Sequence, residues 1–249
     1  MAEEKFDGII LKEEPLGENG KRLVILSKDM GKITASAKGA KSAKSRLSAP
    51  TQLFSYSSFS GYKNRNFYNI NQGEIIESFY AVRSDMEKFA YGSFICELTE
   101  KAVPEEMENN DVLHLLLITF AVISQTDFSP RLASVIFEIK LLDILGLIAG
   151  GEECAQCSKQ LGSEQSFFNA RYGGIICKEC AKTSAGSYPV MEGVRKAISH
   201  VIRNSGKKIF GFTLADEVLK ELENVMEIYV RTHLSYEIKS LEFIKGIRD

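Results

Sequence analysis

The sequence lacks a hydrophobic run long enough to cross a bilayer. Its longest strongly apolar stretch, 112–123, has 12 residues and contains His114, whereas a membrane-spanning helix needs roughly 20. The amino-terminal residues 1–5, Met-Ala-Glu-Glu-Lys, lack the basic and then apolar segments of a secretory signal. The two absences predict a cytoplasmic protein with no membrane partner, in which the stretch 112–123 forms a buried core helix.

Common catalytic signatures are also missing. The chain contains neither HExxH nor GxSxG, and no lysine stands where a phosphate-binding P-loop requires one. The HxE pattern of zinc deaminases is absent as well. The three histidines, His114, His200 and His233, are isolated from one another in the sequence. The sequence therefore predicts a protein that is not an enzyme and has no small-molecule substrate. A metal-dependent nuclease or hydrolase stays open as an alternative, and it would need a metal with a free coordination position.

Cysteine is scarce, but its spacing is informative. Four of the five cysteines form two CxxC pairs, Cys154 with Cys157 and Cys177 with Cys180, separated by 19 residues. Two intervening residues allow a tight turn to direct both sulfurs at one ion, and two such turns complete a tetrahedron with Zn–S bonds of about 2.3 Å. Four thiolates leave no free position, so the pattern predicts one structural zinc per chain. Redox-active or incidental cysteines are the alternative. Cys96, alone in an apolar stretch, is expected in the core.

The small net charge of −2 hides a strong asymmetry. Residues 21–65 contain ten basic residues and a single acid, Asp29, a local excess of +9, so the other 204 residues carry −11. Such a segment predicts a polyanion-binding region whose affinity falls with salt, because bound phosphates release their counterions. Aromatic residues interleave with the charges. Tyr62, beside Lys63 at an expected hairpin tip, is the candidate for stacking on single-stranded bases.

The first 80 residues have the pattern of β structure. Five short runs rich in β-branched and aromatic residues are separated by turn signals, which favours a small closed or partly open barrel. The runs cover 6–11, 22–27, 32–37, 51–60 and 66–76. A basic loop, 38–46, joins the third and fourth strands, and the turn 61–65 joins the last two.

After Phe79 the hydrophobic period changes to that of helices. Ser84 is the expected cap of a helix that extends to about residue 103, and a second helix covers 111–124. Ser129-Pro130 begins a third, which stops near Gly146 or Gly150-Gly151. Thr213 is expected to cap a long helix with Leu214 in its apolar stripe. Between these helices, 167–169 and 172–176 form a short hairpin beside the cysteines. The fold class is α+β.

With these features in order, the whole chain resembles the RecO family of bacterial DNA repair proteins. The resemblance rests on the segments 20–24 (GKRLV), 28–32 (KDMGK), 38–40 (KGA) and 44–47 (KSRL), and on the cysteine quartet after the third helix. It implies an N-terminal OB fold over 1–80, a helical domain over 81–150 and 184–249, and a zinc module inserted at 151–183.

The family likeness also implies a function. It implies binding of single- and double-stranded DNA, annealing of complementary strands, and help in loading RecA together with RecR. The acidic C-terminal tail of the single-strand-binding protein is a further expected partner, and the protein would join the nucleoid during repair. The implied DNA contacts are Lys21, Arg22, Lys38, Lys41, Lys44, Arg46, Lys63 and Arg65. A second hypothesis is a zinc-ribbon adaptor whose basic face docks an acidic partner protein.

Overall fold

The computed structural model describes residues 3–64, 67–233 and 238–248. The chain forms two compact units. The barrel unit consists of Met1–Pro130 and Ile238–Asp249, and the cysteine unit of Arg131–Glu237. A compact unit is not the same thing as a separately folding domain. The domain limits expected from the sequence, 1–80, 81–150 with 184–249, and 151–183, therefore stay a prediction.

Five strands of the barrel unit form a closed barrel in the order β1-β2-β3-β5-β4. They are β1 (Glu4–Leu16), β2 (Gly20–Ser27), β3 (Gly31–Ala37), β4 (Tyr56–Asn64) and β5 (Phe67–Glu77). All neighbouring pairs are antiparallel except β3 with β5. This is the OB-fold arrangement, so the α+β class and the small barrel expected from the sequence are confirmed.

Along the strands, apolar residues that point inward alternate with residues that point outward, and this gives the closed barrel an apolar interior. On β3, Ile33, Ala35 and Ala37 belong to the barrel core together with Leu23 and Ile25 of β2. The residues between them face outward, because successive side chains of a strand point to opposite faces. β1 shifts register between Ile10 and Lys12, and such an irregularity bends a strand. The bend allows β1 to pair with β2 along one part and with β4 along the other.

Helices complete the barrel unit. They are α1 (Tyr80–Ser84), α2 (Met86–Ala102), α3 (Asn110–Gln125) and α8 (Lys239–Arg248). Val112, Leu116 and Phe120 of α3 are fully buried, which confirms the core helix expected from the apolar stretch. Helix α8, whose number follows chain order, packs on α2. Helices α1 and α8 were not predicted from the sequence.

The cysteine unit combines helices with a small sheet. Its elements are α4 (Pro130–Ile144), β6 (Ser166–Asn169), β7 (Gly174–Ile176), α5 (Lys178–Thr183), β8 (Ser187–Val190), α6 (Glu192–Arg203) and α7 (Asp216–His233). The expected hairpin is confirmed as β6 paired with β7, and β8 adds a third strand beside β6. Helix α4 ends as expected near Gly146. That glycine has a positive φ of 70°, and Leu147 N–H donates to Leu142 O at 2.8 Å, a common glycine-terminated helix end.

Several local expectations were wrong. The cap of α2 is Asp85 instead of Ser84, since the Asp85 carboxylate accepts from Lys88 N–H at 2.9 Å and Ser84 ends α1. Helix α7 begins at Asp216, three residues after Thr213, because its buried stripe starts at Leu219 and not at Leu214.

The last barrel hairpin also differs from the expectation. Strand β4 extends to Asn64, so 61–64 lie in a strand and not in the expected turn. The cause is backbone pairing of β4 with β5 that continues from Gly61 to Asn64. Arg65 and Asn66 lie outside the described residues.

In the part of the chain that the structure describes, no helix combines the length and the apolar character needed to span a bilayer.

Candidate metal centre and nucleic-acid interface

The two CxxC pairs come together as a cluster of four sulfurs. The Sγ atoms of Cys154, Cys157, Cys177 and Cys180 all lie within 4.8 Å of one another, and those of Cys157 and Cys177 are 3.9 Å apart. A tetrahedron with bonds of about 2.3 Å has edges of about 3.8 Å. The spacing is far longer than a disulfide bond, which is about 2.05 Å. The cluster therefore has the dimensions of a four-thiolate metal site.

Local backbone structure places each sulfur. The turn that contains Cys154 and Cys157 closes with Ser158 N–H donating to Cys154 O at 2.8 Å, and Ser158 has a positive φ of 59°. Cys177 directly follows β7, and Cys180 lies in the first turns of α5. Ala155 N–H donates to Ile175 O at 2.8 Å. This hydrogen bond links the turn that contains Cys154 and Cys157 to β7, the strand that precedes Cys177.

The polar environment favours ionised sulfur at Cys154. Burial opposes ionisation, but backbone N–H groups, that of Cys177 foremost (3.3 Å from the sulfur), lower the pKa of Cys154 to about 6. At Cys180, burial and the neighbouring thiols raise the pKa. Four thiolates at this spacing repel one another, and a divalent cation is what allows all four to ionise. The donor set fits Zn²⁺, which would brace the structure and would have no position left for substrate.

On the barrel, one row of outward-facing side chains crosses four strands. Arg22 of β2 pairs with Ser36 of β3, Ser36 with Asn69 of β5, and Asn69 with Tyr62 of β4. Directly opposed residues share a face of a sheet, and the Ser36 hydroxyl donates to Asn69 Oδ1 at 2.9 Å. Strands lie about 4.8 Å apart, so the row is about 14 Å long. We call these four residues the barrel row.

The basic loop lies next to the start of this row. Residues 38–46 form consecutive turns, with Ser42 N–H donating to Gly39 O and Ser45 N–H to Ser42 O. Lys41 fastens the loop to the β1–β2 turn, since its backbone N–H donates to Asn19 O at 3.1 Å and its Nζ to Gly17 O at 3.3 Å. The fold thus brings five of the predicted contacts to one end of the barrel. This basic cluster consists of Arg22, Lys38, Lys41, Lys44 and Arg46, all exposed.

Two other predicted DNA contacts form ion pairs with neighbouring carboxylates of the protein. Lys21 is only 14% exposed, forms an ion pair with Glu13 and donates to Thr51 O at 3.2 Å. Lys63, near the end of β4, lies away from Lys38 and the basic loop. Its Nζ is 2.9 Å from a Glu106 carboxylate oxygen. Their roles in DNA binding stay predictions, as do those of the basic cluster. Arg65 lies outside the described residues.

Sequence reasoning missed the polar middle of the barrel row. Ser36 and Asn69 were not singled out, and neither was Thr34, which faces outward two residues before Ser36 on β3. The sequence of β3 does contain a signal for this polar face. In β3, Thr34 and Ser36 alternate with apolar residues that enter the barrel core. In OB folds, the face formed by strands 2 and 3 is the face that binds oligonucleotides.

Comparison with known proteins matches nearly the whole chain to one family. The family model "Recombination protein O N terminal" matches residues 1–79, and "Recombination protein O C terminal" matches residues 83–242. A relative from Acetivibrio thermocellus, named DNA repair protein RecO, is 33% identical over 98% of this chain and 96% of its own length. One of the same name from Clostridium perfringens is 32% identical over the full length of both chains.

The fold and the cysteine cluster define the class: a closed OB barrel followed by a helical region that contains a four-cysteine site. The matched models and relatives cover nearly the whole chain. The chain belongs to the RecO family.

Proposed function

We propose that the chain is a non-catalytic recombination mediator in DNA repair. It binds single- and double-stranded DNA, anneals complementary strands and, with RecR, helps to load RecA. The observation that carries the proposal is the basic cluster at the start of the barrel row, on the face that OB folds use for oligonucleotides. The names of the relatives support a role in DNA repair.

The barrel row and the basic cluster supply two kinds of contact. Arg22, Lys38 and Lys44 are exposed cations that suit phosphates, and such contacts are independent of sequence and weaken with salt. Tyr62, at the other end of the row, is partly exposed and offers a ring for stacking. Stacking of a base on such a ring contributes about 1–3 kcal/mol. A DNA strand laid along the row would place its phosphates on the cations at one end of the row and a base on the Tyr62 ring at the other end.

Binding without base-specific contacts suits annealing. Two complementary strands must be held by their backbones while their bases stay free to pair. No nucleotide is consumed in such a reaction, so the absence of nucleotide-binding motifs from the sequence is compatible with it.

The zinc proposed for the cysteine cluster has a structural role. Cys154, Cys157, Cys177 and Cys180 hold one ion per chain and join the turn after Gly151 to β7 and α5. The proposed partners are RecR, the acidic tail of the single-strand-binding protein and, indirectly, RecA. We place the protein in the cytoplasm, at the nucleoid during repair.

A strand-annealing assay across salt, with and without single-strand-binding protein, tests the function. The expected result is annealing without nucleotide, on protein-coated strands as well as bare ones, with DNA binding that weakens steeply between about 50 and 200 mM salt. Absence of DNA binding at low salt, combined with tight binding to an acidic partner protein, would support the adaptor hypothesis instead.

A further inference from the structure

An acidic segment between α2 and α3 crosses one end of the barrel. We call residues 104–108, Pro-Glu-Glu-Met-Glu, the acidic strap. Glu105 forms a parallel bridge with Lys32, and Glu106 N–H donates to Lys32 O at 3.1 Å. The strap is thus hydrogen-bonded to the first residues of β3.

Gly31 accommodates the strap. Its φ is +67°, and a Cβ at this position would lie 2.1 Å from Met107 O. Only glycine allows both this backbone conformation and this close approach. The sequence at the start of β3 is therefore matched to the strap that lies against it.

The strap places a carboxylate on the cation that follows Tyr62, the last residue of the barrel row, along β4. Lys63 is the residue after Tyr62, and its Nζ lies 2.9 Å from Glu106 Oε1 and 5.7 Å from the centre of the Tyr68 ring. The lysine side chain is still 41% exposed. Lys63 pairs with Tyr68, a residue of the barrel core, so its side chain leaves β4 at the end of the barrel and not on the face of the barrel row. A DNA strand that bends past Tyr62 over this end would reach the ion pair.

We propose that the acidic strap masks Lys63, one of the predicted phosphate contacts, and acts as a built-in competitor of DNA at this end of the barrel. The proposal rests on the proposed function. Glu105 and Glu108 are exposed beside Glu106 and add negative potential that repels phosphates from this end. An exposed ion pair is weak, so a phosphate can replace the carboxylate. The strap therefore lowers affinity and shortens the bound segment without blocking the site.

Neutralising the strap tests the competition. In the full chain, the triple variant Glu105→Gln, Glu106→Gln and Glu108→Gln should bind single-stranded DNA about 3- to 10-fold more tightly at 100 mM salt. Its plot of log affinity against log salt should be steeper by roughly one unit, because one more phosphate is neutralised. A triple variant with the same change in charge, Glu74→Gln, Glu87→Gln and Glu242→Gln, uses exposed acids away from the strap. It should show a clearly smaller gain and the parental slope.

A double-mutant comparison locates the gain at Lys63. Lys63→Gln should weaken binding by the strap triple clearly more than it weakens binding by the parent, because Glu106 competes with phosphate for Lys63 only in the parent, and it should cancel most of the gain of the strap triple. Without DNA, the Lys63 amine should react faster with an amine-directed ester in the strap triple, measured by mass spectrometry, because the hydrogen bond to Glu106 is lost.

The outcomes separate the two proposals. If the parent does not bind DNA at low salt, the proposed function fails, and the masking of a DNA site fails with it. If the parent binds DNA but both triples gain equally, or Lys63→Gln weakens the parent as much as it weakens the strap triple, the masking alone is overturned.

Discussion

A single carboxylate, that of Glu97, fixes the start of the last helix. It accepts from Lys239 N–H at 3.1 Å, from Ser240 N–H at 2.9 Å and from the Ser240 hydroxyl at 2.6 Å. The first N–H groups of a helix have no partner within the helix, so Glu97 of α2 satisfies those of α8. Burial would raise its pKa, but the hydrogen bonds from Ser240, Lys101 and Lys239 lower it to about 2.

Glu97→Gln should lower the free energy of unfolding by about 1–3 kcal/mol at pH 7, since a charged acceptor is lost. Because the pKa of Glu97 is lower in the folded than in the unfolded state, its carboxylate stabilises the folded state at pH values above the unfolded-state pKa of about 4.3. This stabilisation is lost as pH falls toward about 2. Denaturant unfolding at pH 7 and pH 3 should therefore show a smaller difference between variant and parent at pH 3. Glu74→Gln, at an exposed position, should match the parent at both values; a constant deficit for Glu97→Gln would contradict the account.

The pKa of Glu138 in α4 is shifted in the opposite direction to that of Glu97. It is 5% exposed, and burial, followed by the charges of Glu223 and Glu227 on α7, raises its pKa to about 8. Arg131 donates to both oxygens of Glu223, at 2.9 and 2.6 Å. A raised folded-state pKa means that stabilisation is complete below the unfolded value of about 4.3 and is lost as pH rises through about 8.

Glu138→Gln removes the titrating group and retains the shape. We expect the variant to be more stable than the parent at pH 8, by on the order of 1 kcal/mol or more, with a smaller difference at pH 5. Chemical denaturation at the two pH values measures this. Glu217→Gln, on the exposed part of α7, serves as the control. Lower stability of Glu138→Gln at pH 8 would show that the carboxylate is well accommodated when charged.

At the scale of elements, the cysteine cluster connects pieces too short to hold together by themselves. Strand β7 has three residues and α5 has six, and a helix of that length is not stable alone. Tyr229 of α7 donates to Leu147 O, and His233 Nε2 lies 2.6 Å from Ala170 O beside β6. Loss of the proposed metal should therefore loosen the small sheet first and weaken its attachment to α7.

Removal of the metal should destabilise the cysteine unit. We expect one zinc per chain by metal analysis, and a melting temperature lower by about 10 °C after chelation or in Cys177→Ser, since several kcal/mol are lost. Cys96→Ala, outside the cluster, should retain the metal. Metal-free protein with four freely titrating thiols and an unchanged melting temperature would contradict the site.

Elements could be predicted from the sequence where one local signal dominates. Ser129-Pro130 gave the start of α4 correctly, and runs of β-branched and aromatic residues between turn signals predicted the five barrel strands, although β4 lies at Tyr56–Asn64 and not at 51–60. Ser84 and Asp85 are both good caps, and the choice between them depends on which N–H groups the following turn presents. Helix α8 was missed because its first turn is satisfied by Glu97, 142 residues earlier in the chain.

At the scale of the whole molecule, the sequence predicted charge better than its arrangement. The excess of +9 in residues 21–65 is visible by counting, but its division among strands is not. Arg22 and Tyr62 are 40 residues apart and share a row only because β3 pairs with β5 in parallel. The pairing of Lys63 with Glu106, 43 residues away, also depends on tertiary structure. The cysteine cluster was predictable because two turns with fixed spacing define it locally.

The central claim is that the basic cluster of the OB barrel holds DNA by its phosphates. The most direct measurement is single-stranded DNA affinity from 50 to 300 mM salt for Arg22→Glu, Lys44→Glu and Arg46→Glu combined. The matched control reverses three exposed cations of the cysteine unit, Lys182→Glu, Lys196→Glu and Lys220→Glu. We predict at least a 30-fold loss at 100 mM salt and a salt slope smaller by about two to three units for the barrel variant, with a small change for the control. Equal losses in both variants, or an unchanged affinity in the barrel variant while it stays folded, would contradict the claim.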